Sequence, residues 1–300
     1  MNSKFVSIIS SIGLVLTACI WGFAFVVVKD SLDYVGPLWM IAFRFTIAAV
    51  GLALIFCKKF KLLNKKTLFQ GAVLGFFLFF AYVVQTIGCD YTTAGKNAFL
   101  TAVYVVFIPL IYWPLYKKRP AWYVFLASVL CLLGIGFLAL NPSDKGGINI
   151  GDVLTLICGV FYALHIIFVE KWNNSSDAIL LTVLQFLFAS VYGWILAAIV
   201  QNPEINGPFP VEAFTSSKVI LSMLYLGIFS TMIAFLCQNV CLKYVNSALA
   251  SLFLSLESVF GVIFSCVFLH ESLSPRMIAG CVLIFTAILI SEVLPKLKNN

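Results

Sequence analysis

Charge is scarce in this chain: 10% of its 300 residues are Asp, Glu, Lys or Arg, and two are His. That scarcity works against chemistry needing several ionisable groups at one point. No H-E-x-x-H pair, no paired-carboxylate arrangement and no G-x-x-x-x-G-K-[ST] phosphate loop occurs, which argues against a metalloprotease-type site and a nucleotide-driven motor. The nine cysteines form no C-x-x-C pair. Cys237 and Cys241 stand one helical turn apart, with no histidine or carboxylate near them in sequence. Packing as small hydrophobes is the expectation, and no metal or other cofactor is implied.

What the chain does have is apolar residues, 62% of the total, with a mean hydropathy of +1.06. A soluble domain of this size has too little interior to hide that much apolar surface. Lipid is the alternative solvent, and a hydrocarbon core of ~30 Å needs ~20 apolar residues per helix. Ten candidate spans have that length: 5–28, 36–57, 67–88, 96–116, 120–141, 151–170, 178–200, 218–241, 244–269 and 275–293. A membrane barrel would need short alternating strands, which the pattern lacks. The expected fold class is an all-α polytopic membrane protein. No cleaved signal is expected, because the first apolar run is too long for an h-region and no small-residue cleavage site precedes Trp21-Gly22.

Orientation follows from Lys and Arg. With the N-terminus inside, 13 cations fall on the cytoplasmic side, among them Lys58, Lys59, Lys61, Lys65, Lys66, Lys117, Lys118 and Arg119. Five fall opposite: Lys29, Lys96, Lys145, Lys218 and Arg276. The positive-inside rule then places both termini in the cytoplasm of a cell-membrane protein. The net charge of +7 is explained by this bias and needs no nucleic acid partner. The longest connection, about residues 201–217, carries Pro203, Pro208 and Pro210 and is expected outside.

The chain also repeats itself. Gly13-Leu14-Val15-Leu16-Thr17 answers Gly151-Asp152-Val153-Leu154-Thr155, and Cys19 answers Cys158. An offset of 153 pairs Tyr91 with Tyr244 and Val106-Phe107 with Val259-Phe260. Two repeats of five helices, 1–146 and 147–300, would lie in opposite orientation around a central cavity, where a site can face either side of the bilayer.

The run that begins at Tyr244 contains Leu256-Glu257-Ser258-Val259-Phe260, then His270-Glu271 followed by Leu273-Ser274. With Trp21-Gly22 in the first span and Arg44-Phe45 in the second, it resembles the drug/metabolite transporter superfamily, EamA type. The ordered set spans essentially the whole chain. Two departures stand out: Lys117-Lys118-Arg119 where Gly-Glu-Arg is usual, and Ser258 where Pro is common. The resemblance implies a secondary carrier of small metabolites, often an exporter, with a cavity between the repeats. Its partners would be a small-molecule substrate and the lipid bilayer; no obligatory protein partner is evident.

Ionisable groups inside a bilayer cost ~2.5–3.5 kcal/mol on insertion scales, so each needs a reason. Three qualify. Glu257 lies about 20 Å along its helix from Tyr244, near mid-membrane. It shares a stripe with Ala250, Leu254 and Gly261, beside a second stripe of Ser247, Ser251, Ser255 and Ser258. It either carries a proton or substrate cation, or fixes helix packing. The matching position in the first repeat is Tyr104. His165 shares a face with Cys158, Tyr162 and Val169 and serves either proton coupling or a helix contact. Arg44 sits near enough to the outer end of its span to snorkel partly outward; it holds either an anion or a structural partner.

The fourth span opens with Lys96-Asn97 and puts Asn97, Thr101 and Tyr104 on one face. Its N-terminal dipole and Lys96 together would suit a substrate carboxylate or phosphate; the alternative is an interfacial lysine in water. Pro109 and Pro114 are expected to weaken this helix so that its halves tilt separately. The third span offers Tyr82, Gln85 and Cys89, the eighth Gln238 and Asn239, the first Trp21 and Phe25. Substrate contacts are therefore expected from Trp21, Gln85, Asn97, Thr101, Tyr104, Tyr162, His165, Gln238 and Glu257, with Lys96 and Arg44 as anion contacts. Alternating-access transport of an amino acid or amphipathic compound, powered by protons or another gradient, is the leading reading. A membrane-embedded enzyme or flippase for lipid-linked substrates is the competitor.

Overall fold

The structure is a computed structural model and describes residues 3–117, 121–139, 148–173, 175–200, 202, 205–241, 244 and 247–297. Every regular element among them is helical. The long helices are α1 (Ser3–Ser31), α2 (Pro37–Ile55), α3 (Lys65–Tyr91), α6 (Trp122–Ala139), α7 (Ile150–Asn173), α8 (Ala178–Ile199), α11 (Ser247–Phe268) and α12 (Pro275–Leu297). Two expected spans are interrupted. One is split into α4 (Ala94–Thr101) and α5 (Tyr104–Tyr116); the other is α9 (Ser217–Leu224), a π-helical stretch Tyr225–Ile233 and α10 (Ala234–Cys241). Among the described residues, seven stretches are long and apolar enough to cross a membrane, and three shorter apolar helices accompany them. Large apolar side chains such as Leu54, Leu132 and Ile199 are exposed on the outside, as lipid contact allows.

The expected break at Pro109 and Pro114 does not occur. Helix α5 runs through both residues, and the chain breaks instead at Ala102-Val103. There the N–H of Val103 reaches Leu100 and that of Val105 reaches Ala102, so the turn tightens to three-residue bonds before α5 begins.

Helix ends are tied by side chains. Asn64 and Thr67 form a reciprocal cap on α3. Asn206, from the long connection, accepts from the N–H groups of Leu38 and Trp39 at the start of α2 and donates to the carbonyl of Val200 past α8. Asp177 caps α8 through the Leu180 N–H and pairs with Lys59 at 2.6 Å. Burial alone would push the Asp177 carboxyl up, but the Lys59 ammonium and the capped N–H groups outweigh it and hold it below the ordinary range. A depressed carboxyl stabilises above its unfolded pKa of about 3.9 and loses that contribution as pH falls. Asp177→Ala is therefore expected to cost about 1 kcal/mol at neutral pH, and less near pH 3, in denaturation of the detergent-solubilised protein.

Helices α1 and α11 pack together, as do α3 with α7 and α8, α2 with α8, and α6 with α12, while α4 lies between α11 and α7. Small residues permit the close approaches. A Cβ on Gly22 would stand 2.5 Å from the Cβ of Phe260, and one on Gly159 would stand 3.3 Å from the Phe107 ring. Residues Lys118, Arg119, Lys145, Pro203 and Lys243 lie outside the described residues, and so do the side chains of Asn239, Ser247, Ala250 and Ser251.

Candidate functional site

The helix packing leaves a cavity of about 300 Å³ bordered by α1, α2, α3, α4, the start of α5, α7, α8, α10, α11 and the π-helical stretch. Trp21, Arg44, Gln85, Asn97, Thr101, Tyr104, Tyr162, His165, Gln238 and Glu257 all line it. Lys96 does not. One end reaches Glu170, which is exposed; at the other end Thr86, Cys89 and Asn97 are buried.

A ladder of hydrogen bonds runs along one wall. The Tyr82 and Tyr162 rings meet edge-on at 5.6 Å, and Tyr162 donates to Gln85 Oε1 at 2.9 Å. Gln85 Nε2 donates to Thr101 at 3.1 Å, and Asn97 Nδ2 donates to Thr155 at 2.8 Å and to the Gln85 carbonyl. The periodicity of α3 sets Tyr82 and Gln85 on one face, while the short helix α4 turns Asn97 and Thr101 to meet them. Asn97 Oδ1 is left over: the residue is 0% exposed and this oxygen has no partner. An unpaired buried acceptor costs ~1–3 kcal/mol, so water or a ligand donor has a place there.

His165 and Gln185 join across α7 and α8 at 2.8 Å. Glu257, 5% exposed in the middle of α11, lines the cavity beside Tyr104. Trp21 packs at a tilt against Phe235, with ring centres 5.1 Å apart, and donates its indole N–H to the Ser230 carbonyl at 2.8 Å.

Arg44 does not snorkel. It is 2% exposed, and among the described residues it pairs with neither a backbone carbonyl nor a carboxylate. Its Nε donates to Thr231 at 3.2 Å, its Nη2 to Ser230 at 3.1 Å, and its guanidinium lies 4.4 Å over the Tyr82 ring. The π-helical stretch makes this possible. Its wide turn lets Thr231 bond the Leu226 carbonyl five residues back and presents both hydroxyls to α2. Sequence reading missed Ser230 and Thr231, although two adjacent hydroxyls in an apolar span were a visible signal.

Lys96 is neither an anion contact of the cavity nor an interfacial lysine in water. Its ammonium forms a buried pair with Asp152 at 2.7 Å, the two side chains being 3% and 1% exposed. Asp152 also accepts from Thr92 and from the Asn149 N–H. Beside the pair, Glu271 reaches from beyond α11 to accept from the N–H groups of Ala94 and Gly95 at 2.7 and 3.1 Å. It thereby satisfies the orphan donors at the start of α4. Both contacts sit over the buried end of the cavity.

One family model, described as the EamA-like transporter family, matches residues 8–140 and again residues 149–292. The chain belongs to that family. Its relatives include an "Uncharacterized transporter" of Archaeoglobus fulgidus, 36% identical over 291 residues, with 94% of this chain and 85% of the relative covered. The "Uncharacterized transporter YvbV" of Bacillus subtilis is 26% identical, with 92% of this chain and 88% of the relative covered. A crystal structure of a protein 14% identical in sequence covers 97% of this chain and 98% of its own at a TM-score of 0.67, and shows the same fold. As an EamA-like chain with several long apolar helices, this is a multi-pass membrane protein of a transporter family.

Proposed function

We propose that this EamA-like protein is a secondary carrier of small metabolites working by alternating access, with two inverted halves, 1–146 and 147–300, around the cavity. The observation that carries the reading is a largely apolar cavity set with polar side chains and walled by both family-matched stretches, with Tyr104 of the first beside Glu257 of the second. Those two residues are 153 apart, the offset found between the repeats.

Further correspondences support duplication. Among the described residues, the non-glycine residues with positive φ are Lys117 and His270, both at 55° and again 153 apart. Thr17 and Thr155 each bond the carbonyl four residues back, at Gly13 and Gly151. Gly22 meets Phe260 of the second half, and Gly159 meets Phe107 of the first. On this reading the seven long stretches and three shorter helices make ten spans, with both termini cytoplasmic in the cell membrane. The open end at Glu170 then faces the cytoplasm, which suits a carrier that loads from inside and exports. An amino acid or amphipathic cargo and proton coupling through Glu257, with His165 beside the same cavity, complete the proposal.

Counterflow in proteoliposomes tests it, with amino acids, polyamines and sugars as cargo classes. Accumulation of at least one class against an unlabelled pool is expected. Single cysteines at Trp21 and Asn97, in a background lacking the native ones, are expected to gain water access from one side at a time. Protection of both in every state, with no counterflow of any class, refutes the carrier.

A further inference from the structure

Arg44 is costly where it stands. A cation on the wall of a mid-helix cavity, with no carboxylate within ion-pair distance among the described residues although Glu257 lines the same cavity, needs more than that to justify its burial. The hydroxyls of Ser230 and Thr231 and the face of Tyr82 hold the guanidinium in one orientation, yet none of them carries a negative charge. These bonds use Nε and one Nη2 hydrogen, which leaves Nη1 and the second Nη2 hydrogen to the cavity that Arg44 lines. That is the fork geometry that takes two oxygens of an oxyanion. Around it the walls are aromatic: Trp21, Phe25, Tyr82 and Phe235.

We propose that Arg44, held by Ser230 and Thr231 on the π-helical turn, is the seat for the carboxylate of an amphipathic organic acid whose apolar body lies against those aromatic rings. The assignment deepens the carrier reading, in that the acid becomes its cargo class; binding itself does not require transport. A merely structural Arg44, riveting α2 to the π-helical turn, would read no difference between an acid and its amide.

The probes are 3-phenylpropanoate, its uncharged amide and 2-phenylethylamine, followed by equilibrium binding to the purified full-length protein in detergent. Wild type is expected to bind the acid at least about tenfold more tightly than the amide, since charge-assisted bonds are about twice as strong as neutral ones. It is expected to bind the amine no better than the amide. The acid, and not the amide, should change the emission of Trp21, whose indole bonds the Ser230 carbonyl beside the guanidinium; the Trp21→Phe protein supplies the difference signal. Arg44→Gln removes the acid preference, and Arg44→Lys, which keeps charge but loses the fork, reduces it. Where Arg44→Gln does not fold, the Arg44→Lys ratio and the wild-type emission decide. Equal binding of acid and amide by wild type, no binding of the acid at millimolar concentration, or an unchanged preference in Arg44→Lys or Arg44→Gln overturns the assignment. Counterflow of a neutral or cationic cargo alongside any of those results would leave the carrier standing without its anion seat.

Discussion

Asp152→Ala is expected to destabilise the protein by about 3–5 kcal/mol, because it leaves the Lys96 ammonium buried without its partner. Chemical denaturation in detergent, followed by helical signal, measures the loss. Thr92 and the Asn149 N–H lose their acceptor in the same variant, which adds to the cost. The double variant Lys96→Met/Asp152→Leu removes both charges together and is expected to recover most of the stability, since a buried pair replaced by apolar residues is often neutral. A single variant that loses under about 1 kcal/mol would mean that water already reaches the pair. The position matters for function as well. The pair ties the start of α4 to the start of α7 over the buried end of the cavity, with Glu271 gripping the same turn of α4 from the connection after α11. Loosening it should therefore raise labelling of a cysteine placed at Asn97 from the side opposite Glu170.

Glu257→Gln is expected to abolish flux driven by a pH gradient, while counterflow without a gradient survives. The amide keeps the size of the carboxyl and its capacity to accept a hydrogen bond, so packing of α11 should be preserved. What it cannot do is gain and lose a proton. Paired measurements in proteoliposomes, with and without an imposed gradient, separate these outcomes. A variant whose flux retains the wild-type pH dependence rules Glu257 out as the proton carrier. Loss of counterflow and gradient-driven flux together, in a folded protein, would assign Glu257 to cargo binding instead.

Composition and segment length made the helical class legible, because lipid accepts apolar side chains on every face of a helix and leaves the pattern uninterrupted. The described helices begin and end within a few residues of the expected spans. Interruptions within spans were harder to read. Proline pointed to Pro109 and Pro114, but a helix with little competition for its backbone bonds tolerates both, and the break came at Ala102-Val103. The π-helical stretch has no residue signature of its own.

The candidate site was legible as far as one helix face predicts a cavity wall, which is why Asn97, Thr101 and Tyr104 stand together. It failed where a partner comes from elsewhere in the chain. Lys96 looked like a terminal cation until Asp152, 56 residues away, was placed against it. Arg44 looked able to reach water until Ser230 and Thr231, nearly two hundred residues on, enclosed it. Glu271 was visible as a family motif, but its task of capping α4 required the two halves to be in contact.

The wide turn at Tyr225–Ile233 also has a consequence for inheritance. It holds one residue more than an α-helix of the same rise, so deleting a single codon there would let the helix close to regular pitch. The faces beyond, Phe235 and Gln238 included, would keep their orientation, but Ser230 and Thr231 would lose the wide turn that aims their hydroxyls at Arg44. A change that most surface loops absorb silently would here redraw the lining around Arg44 at a stroke, which makes this stretch a place where related chains can diverge in what they admit.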